Sequence, residues 1–479
     1  MSLRRAYVPR KSPQLPASGE VIARRRARAW GARSLLISLM VPSFVVLVNR
    51  SMIGVALPAI RSAFGAQVDL VAWVVTVYTL PYVTLMPLYG RLGDGLGKRR
   101  LFLIGVVIFL VGTLICLMAH DLGLLMVGRA IQGIGAASVV PLSIAIISEL
   151  FPASERGRAL GTWNSVGPAT GMVGPLLGGL LVDTVGWQVI FVPVFLVGMA
   201  VPVVLRTWVP ATQSHARPRF LYTFDWGGVT LLSAMVAALL FYVSSKPITG
   251  VAPLRDWRLL VVTLLLLGVF ILWEKRRADP FVALDLFAHK AFTQASVCAG
   301  IRMFTMSGIG FLMPLYLVDV QGLRGISTGV MLMIHAGALL ATMRWGGMLA
   351  DRWRSRPLVM LGLSTQAIVM MYFALLPGTA PLAMVVLGLI AHGLGAGLAL
   401  APLHRAAMSQ IPQAQMGVAA GLYSMIRFAG TVLGTALGSV LLQEGLDRGM
   451  AVIQAYHAVF WFLAVAAVFG VVIGTRLRE

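Results

Sequence analysis

Charge is the property that this sequence has least of. Only 12% of its 479 residues are charged, whereas 58% are hydrophobic, and a soluble domain carries about a quarter charged residues. Apolar runs recur from position 34 to the end. A run of about 20 residues crosses a hydrocarbon core of about 30 Å, since a helix rises about 1.5 Å per residue. The composition excludes a soluble protein and predicts an all-α, polytopic integral membrane protein.

Acidic residues and cysteines are also scarce. The chain has 17 Asp and Glu residues against 39 Lys and Arg residues, and its net charge is +22. Most of the basic residues precede the first apolar run or lie in short loops, which is typical of membrane topology and not of a nucleic-acid surface. Cys116 and Cys298 both lie in apolar runs, and this placement argues against a disulfide framework.

Motifs for nucleotide binding and catalysis are missing from the sequence. No G-x-x-x-x-G-K-[ST] phosphate-binding loop occurs, which disfavours an ATP-driven pump. We find no catalytic constellation. We therefore expect a protein that is not an enzyme and that needs neither a cofactor nor a metal.

The apolar runs predict fourteen membrane spans. An even number of spans places both termini on one side of the membrane, and the positive-inside rule selects the cytoplasm for both. In this orientation few basic residues lie outside, namely Arg61, Lys246, Arg255, Arg258, Arg324 and Arg448. The predicted spans, numbered 1 to 14 below, lie near 34–57, 70–90, 101–119, 123–148, 158–181, 187–208, 226–245, 258–274, 293–318, 326–349, 358–377, 381–403, 415–442 and 451–474.

The two halves of the chain repeat each other. Gly133 and Gly135 of span 4 recur at a constant offset as Gly393 and Gly395 of span 12, and the glycines of span 5 recur in span 13. Repeated membrane halves predict a transporter whose substrate site lies at their interface near the midplane. The expected segments are a basic cytoplasmic tail (1–33), an N-terminal six-helix bundle (34–208), linkers with the inserted spans 7 and 8 (209–292) and a C-terminal six-helix bundle (293–475).

The loop after span 2, GRLGDGLGKRR, resembles the loop signature of the major facilitator superfamily, G-x-L-[AG]-D-[RK]-x-G-[RK]-[RK]. Its glycines allow two helix ends to approach closely, and Asp94 can cap a helix or pair with an arginine and so latch one conformation. The alternative is an ordinary basic loop. The latch residues predicted here and in the partial repeat after span 10 are Gly90, Asp94, Gly97, Lys98, Arg99, Asp351 and Arg352.

Span 4 carries a second match to this superfamily, the pattern R-x-x-Q-G-x-G-[AG]-[AG], at Arg129 and Gln132. The resemblance implies that Arg129 takes part in proton or substrate coupling. The alternative is structural, because a residue this close to the outer end of a span can extend its charged group to the membrane surface.

Span 5 carries a third match, a G-P-x-x-G-G signature that resembles that of exporters. Glycines spaced along one helical face let helices pack closely, and packing alone is the alternative explanation of each glycine. The residues of this exporter motif are Gly167, Gly171, Gly174, Pro175, Gly178 and Gly179. Fourteen spans with all three motifs resemble the multidrug drug:proton antiporter subfamily, which implies a multi-pass protein of the plasma (inner) membrane.

Span 1 departs from that subfamily. In VNRSMIGVALP, Asn49 stands where the subfamily has an acidic residue, and Arg50 follows it. We find no acidic residue near the middle of any span, although export of cationic drugs in exchange for protons normally needs a buried carboxylate. The remaining candidate proton carriers are Glu149 and span histidines such as His335, and His392 is predicted to face the central cavity.

Three arginines lie deep in the spans instead: Arg50, Arg302 and Arg427. A central arginine costs about 2.5–3.5 kcal/mol even on the lower scales, so each must find water, a backbone carbonyl or an anion. A positive chamber would attract anionic or zwitterionic substrates and repel lipophilic cations. For each arginine by itself, snorkelling or a bond to a carbonyl is the alternative.

Two transport hypotheses therefore remain open. The first is an efflux-type secondary transporter that moves small amphipathic molecules or drugs outward by alternating access in exchange for protons. The second is a transporter of anionic or lipid-like substrates without classical drug:proton exchange. We expect a monomer that contacts a small-molecule substrate, membrane lipids and, under the first hypothesis, protons, but no nucleic acid. The predicted substrate or coupling residues are Asn49, Arg50, Arg129, Gln132, Arg302, His392 and Arg427.

Overall fold

The computed structural model describes residues 31–210, 224–252, 254–277, 280–412 and 415–477. Within these ranges all regular structure is helical, and fourteen helices are long and apolar enough to cross a membrane. The fourteen predicted spans are thus confirmed. They comprise Arg33–Phe64, Val68–Gly93, Lys98–Leu117, Leu122–Leu150, Arg158–Thr184, Trp187–Trp208, Trp226–Ser244, Trp257–Arg276, Lys290–Asp319, Gly325–Ala350, Ser355–Leu375, Leu382–Met408, Val418–Asp447 and Val452–Gly474.

Several of the few acidic residues cap the N-termini of helices. Asp121 accepts a hydrogen bond from the amide of Leu124 (2.8 Å) at the start of span 4, and Asp225 and Asp256 cap spans 7 and 8 in the same way. A side-chain oxygen at this position satisfies an amide that has no partner within the helix, and its charge complements the helix dipole. This role explains why acidic residues gather at span ends.

The two halves pack in the same way around equivalent glycines. A Cβ added to Gly133 would lie 2.2 Å from the carbonyl oxygen of Tyr78, and one added to Gly393 would lie 2.4 Å from that of His335. A glycine therefore lets span 4 lie directly against span 2 in the N-terminal half. In the C-terminal half a glycine lets span 12 lie directly against span 10 in the same way. The sequence repeat is a repeat of helix packing.

Spans 7 and 8 form a pair inserted between the two halves. Leu240 and Val243 of span 7 pack against Val432 and Ala436 of span 13, and the indole nitrogen of Trp73 donates to the carbonyl oxygen of Ser244 (3.0 Å). Span 8 presents a mostly exposed apolar surface, as expected of a helix that faces lipid.

An ionic contact holds the loop between spans 7 and 8 to span 13. Lys246 in this loop pairs with Glu444 and Asp447 at the outer end of span 13. The hydrogen bond from Lys246 to Asp447 raises the pKa of Lys246 above its ordinary value. The inserted pair is therefore fastened to the C-terminal half on the outer side.

The halves meet at the ends of the spans that the positive-inside rule places outside. A Cβ on Gly179 would lie 2.2 Å from the carbonyl oxygen of Gly325. The carboxylate of Asp183 accepts hydrogen bonds from the amides of Gly325 (2.9 Å) and Ile326 (2.7 Å). Span 5 of one half thus caps the first turn of span 10 of the other.

A second external contact joins span 1 to span 9. Arg61 forms an ion pair with Asp319 and donates from Nη1 to Oδ2 at 2.8 Å. The hydroxyl of Tyr456 donates to the same Oδ2 at 2.8 Å. At the cytoplasmic ends of spans 5 and 13, by contrast, a Cβ on Gly161 or Gly421 would meet no atom within 4 Å. The polar contacts between the two halves described here therefore close the outer side of the structure.

Asp319→Asn should weaken the external closure. The substitution removes the charge that Arg61 pairs with, and a hydrogen bond to a charged group is worth about 1.5–3 kcal/mol. We expect the population open to the outside to rise about tenfold. The measurement is the electron–electron distance between spin labels on Ser62→Cys and Arg324→Cys, because both side chains are exposed on the outer ends of opposite halves.

Asp121→Asn is the matched control for this experiment, because Asp121 caps span 4 on the outer side within one half. This control should leave the label distance unchanged. A distance distribution that is the same in Asp319→Asn and in the parent protein would contradict the assignment of Asp319 to the closure.

Candidate functional site

Two of the predicted arginines lie where the halves face each other. The guanidinium carbon of Arg50, from span 1, lies 5.3 Å from the ring centroid of Phe428 and 5.8 Å from that of Tyr82. That of Arg427, from span 13, lies 4.7 Å from the centroid of Phe428. Tyr82 and Phe428 pack edge to face across the interface with centroids 5.5 Å apart. We call these four residues the arginine–aromatic chamber.

The arginines of this chamber have no carboxylate partner among the described residues. Both side chains are partly exposed, and no described residue accepts a hydrogen bond from either of them; the Nε atom of Arg427 is itself buried without a partner. Cation–π contacts offset part of the cost of holding two guanidinium groups against one ring. The charge and the free donors remain, so the chamber is suited to bind an anion.

Arg129 lies in a different place, inside the N-terminal bundle. It is 1% exposed and donates from Nη1 to Asn49 Oδ1 (3.0 Å) and Gln132 Oε1 (2.8 Å), and from Nε to the carbonyl oxygen of Val74 (3.2 Å). Its guanidinium carbon lies 4.1 Å from the ring centroid of Tyr78. Arg129 therefore does not extend to the membrane surface; it joins spans 1, 2 and 4.

Asn49 and Gln132 are hydrogen-bond acceptors for this arginine. Asn49 is fully buried, and its Nδ2 has no hydrogen-bond partner within the described part of the chain. Gln132 passes the chain of bonds on by donating from Nε2 to the hydroxyl of Thr113 at 2.8 Å. Neutral amides thus solvate a buried cation that an acid at position 49 would have neutralised. The predicted role of Asn49, Arg129 and Gln132 in coupling remains a prediction.

Arg302 takes the second alternative that the sequence allowed, a bond to a backbone carbonyl. Its Nε donates to the carbonyl oxygen of Ala396 at 2.9 Å, and Nη1 lies 3.5 Å from the sulfur of Met303. The side chain is 3% exposed within the C-terminal bundle. Its predicted role as an anion contact remains untested, but this geometry places it outside the arginine–aromatic chamber.

Two histidines form a buried pair in the C-terminal bundle. His335 Nε2 lies 3.0 Å from His392 Nδ1, and His392 Nε2 lies 3.3 Å from Gln366 Nε2. His392 is 0% exposed, so it faces these neighbours and not an open cavity. His335 stands where Tyr78 stands in the other half, since their carbonyls lie against equivalent glycines. The pair can hold one proton between two ring nitrogens.

The cytoplasmic loop after span 2 contacts the end of span 4 and the linkers. Gly97 has φ +91°, a backbone conformation that side chains other than glycine rarely adopt. Lys98 Nζ donates to Glu149 Oε2 at 2.8 Å, and Arg99 Nη1 donates to the carbonyl oxygen of Val209 at 2.8 Å. Glu149, a predicted proton carrier, is thus paired with Lys98 at the end of span 4.

The remaining latch residues give less structural detail. Gly90 lies in the last part of span 2, and a Cβ on it would meet Pro141 at 4.0 Å, an ordinary contact. Arg352 is exposed at the end of the helix Gly325–Arg352. The side chains of Asp94 and Asp351 lie outside the described part of the structure, so the latch itself remains a prediction.

The glycines of the span 5 motif pack against two helices, span 1 and span 10. A Cβ on Gly174 would lie 2.5 Å from Ser51 Cβ, and one on Gly178 would lie 3.0 Å from Met52 Cα, both in span 1. Gly171 and Gly179 face span 10 instead, and a Cβ on Gly167 would meet no atom within 4 Å.

Pro175 completes the contact between span 5 and span 10. A Cβ on Gly329 would lie 2.3 Å from the Pro175 carbonyl oxygen. Span 5 therefore packs closely against both span 1 and span 10.

Sequence reasoning missed the external contacts. Arg61, Asp319 and Asp183 lie at span ends, where a charged residue is unremarkable, and Tyr456 has no neighbouring signal in the sequence. A usable signal existed for one pair: Arg61 and Asp319 have opposite charges at the outer ends of spans 1 and 9, which begin the two repeated halves.

Comparisons with known proteins agree with this geometry. The family model described as Major Facilitator Superfamily matches residues 39–221 and 222–435. The drug efflux pump JefA of Mycobacterium tuberculosis is 30% identical over 407 residues, which cover 83% of this chain and 78% of JefA. The riboflavin transporter RibZ of Clostridioides difficile is 25% identical over 446 residues, covering 92% and 96% of the two chains.

A solved structure confirms the fold. The peptide transporter POT in complex with sulfate superposes with a TM-score of 0.70 at 14% identity, covering 92% of this chain and 93% of that one. The family model spans most of the chain, the fourteen helices fit its membrane topology, and the repeated halves pack as the motifs predicted. The chain is a multi-pass membrane transporter and belongs to the major facilitator superfamily.

Proposed function

We propose that the protein exports small amphipathic molecules that carry an anionic group, by alternating access across the plasma membrane, and that it acts as a monomer. The arginine–aromatic chamber is the observation that carries this proposal. Arg50 and Arg427 come from opposite halves and both contact Phe428, so an anion between them would touch both halves at once. The aromatic rings of Tyr82 and Phe428 suit an apolar or aromatic body attached to that anion.

The outward direction is inferred from the glycine motif of span 5 and from the printed name of JefA, a drug efflux pump. The membrane potential supports the same direction for an anion. A negative charge leaving a cell that is negative inside gains about 2.3 kcal/mol per 100 mV. Export of an anion therefore has a driving force that does not require exchange for protons.

Drug:proton exchange is the second candidate function, and the His335–His392 pair favours it. The two ring nitrogens are 3.0 Å apart in a fully buried site, where one proton can be gained or lost without a carboxylate. A proton on this pair would add positive charge near Arg302 in the C-terminal bundle, which favours an anion there and disfavours a cation. Because the bound proton disfavours a cation, the pair fits exchange of protons for cationic or neutral drugs better than exchange of protons for anions.

Arg427→Ala should weaken binding of an organic anion by about tenfold to a hundredfold, because a charge-assisted hydrogen bond of about 1.5–3 kcal/mol is lost. Arg50→Ala should act similarly, since Arg50 supplies the other side of the chamber. Arg427→Lys should recover part of the loss, because it restores the charge but not the planar fork. Binding is measured by ligand-induced thermal shift of the purified chain.

Arg344→Ala is the control for the arginine variants, because Arg344 is exposed near the cytoplasmic end of span 10. It should bind anions like the parent protein. Unchanged anion binding in both chamber variants, or equal binding of lipophilic cations by the parent protein, would exclude the anionic substrate class.

Purified protein in liposomes separates the two energy sources. Under the anion proposal, an imposed membrane potential without a pH gradient should drive transport, and a pH gradient alone should add less than about twofold. Under drug:proton exchange, the pH gradient alone should drive transport, and His392→Asn should abolish it. His457→Asn is the control, since His457 bonds the carbonyl oxygen of Leu376 in span 11 and lies apart from the pair. Transport that requires the pH gradient contradicts the first proposal.

A further inference from the structure

A pair of buried carboxyl groups lies on the cytoplasmic side, where the inserted span pair meets the linker to span 9. Asp225, at the start of span 7, is 4% exposed. Its Oδ1 accepts from the amide of Gly228 (3.0 Å) and the indole of Trp273 (2.8 Å), and its Oδ2 accepts from the amide of Phe281 (3.3 Å). Three N–H donors therefore stabilise Asp225 as an anion.

The second carboxyl group, Glu274, has far less support. It is 2% exposed at the end of span 8. Its Oε2 accepts from the amide of Val282 at 3.2 Å, whereas Oε1 is buried and has no hydrogen-bond partner among the described residues. The position that a Cβ on Gly228 would take lies 2.4 Å from Glu274 Oε1 and 2.6 Å from Asp225 Oδ2. Glu274 Oε1 and Asp225 Oδ2 thus flank the same point beside Gly228, which places the two oxygens at most about 5 Å apart.

Two ionised carboxylates do not share such a site without a large cost, so one of them holds a proton. Asp225 accepts from three N–H donors and is better stabilised as the anion. Glu274 accepts from the amide of Val282, and protonation would give its Oε1 an O–H group that can donate. We propose that Glu274 is a proton-binding site that carries an O–H directed at Asp225, and that this proton fastens the linker to the inserted span pair. This inference does not depend on the substrate.

The surrounding charges connect this site to the superfamily loop. A cavity of about 420 Å³ beside Glu274 is lined also by Arg91, Lys275 and Asp285. Arg91 belongs to the loop motif, and its Nη2 donates to the carbonyl oxygen of Pro280 in the linker at 2.7 Å. Arg277 is half-exposed, with Nε 3.8 Å from Asp225 Oδ1. Asp279 lies outside the described residues.

Loss of the proton has a defined consequence. The O–H bond of Glu274 breaks, the proton passes to cytoplasmic water through the cavity, and the electron pair stays on Glu274. The two adjacent carboxylates then repel each other and pull apart from the amides of Phe281 and Val282. The linker that holds Arg91 through Pro280 is loosened, so cytoplasmic pH would act on the loop after span 2.

Infrared spectroscopy of the full chain in lipid tests the proton directly. At neutral pH the parent protein should show the C=O stretch of a buried protonated carboxyl group, and this band should be lost in Glu274→Gln. Glu149→Gln is the control, because Glu149 is ion-paired with Lys98 on the same side of the membrane, and it should retain the band. A parent spectrum identical to that of Glu274→Gln overturns the proposal.

Hydrogen exchange of the linker, residues 280–289, tests the consequence. Glu274→Gln keeps a donor towards Asp225 and cannot titrate, so comparison at equal pH cancels the intrinsic exchange rate. The parent and Glu274→Gln should exchange alike in acid, and the parent should exchange about tenfold faster once the proton is lost at alkaline pH. If the ratio of the exchange rates of the parent and Glu274→Gln stays constant across the pH range, no proton fastens the linker.

Discussion

A positive charge buried in lipid without a carboxylate is the constraint on which this structure depends. Each arginine inside the spans has to recover part of the free energy that water would have supplied. Arg129 recovers it from two side-chain amides, a backbone carbonyl and the face of Tyr78. Arg302 recovers it from one carbonyl and a thioether. Arg50 and Arg427 are partly exposed and, among the described residues, contact aromatic faces without a hydrogen-bond acceptor, so they are the two that a ligand can still satisfy.

The repeated halves share their packing but differ in their charge. Equivalent glycines bring Tyr78 and His335 to matching places, and around them the N-terminal half holds a fixed guanidinium whereas the C-terminal half holds two imidazoles. Arg302 already places a guanidinium in the second half, so a proton gained by the imidazoles would add a further positive charge there. The described part of the N-terminal half holds no such imidazole pair, so proton binding by imidazoles would be confined to the C-terminal half.

The sequence was sufficient to predict the spans, the repeat and the family, because hydropathy and glycine spacing report on helix length and on close packing. It also located Arg50 and Arg427 as candidates. It could not separate them from Arg302, because the carbonyl that satisfies Arg302 belongs to residue 396 and backbone atoms have no pattern in a sequence. The sequence did not single out Glu274 and Asp225 for a similar reason. The start of span 7 and the end of span 8 are close together only in the folded chain.

The location of the contacts between the halves links the chamber to the transport cycle. The external contacts of Arg61 with Asp319 and of Asp183 with two amides are polar, so water can replace them at modest net cost. They can therefore open and close reversibly. An anion held between Arg50 and Arg427 would add a contact between the halves at mid-depth.

Such an anion can shift the equilibrium only by its difference in affinity between the two conformations. This difference requires the distance between the two guanidinium groups to change as the halves rock. Arg50 and Arg427 belong to spans 1 and 13 of opposite halves, so a motion that separates the halves at this depth also separates the two guanidinium groups. Under the proposed function, the residues that bind the anion would then also sense the conformation.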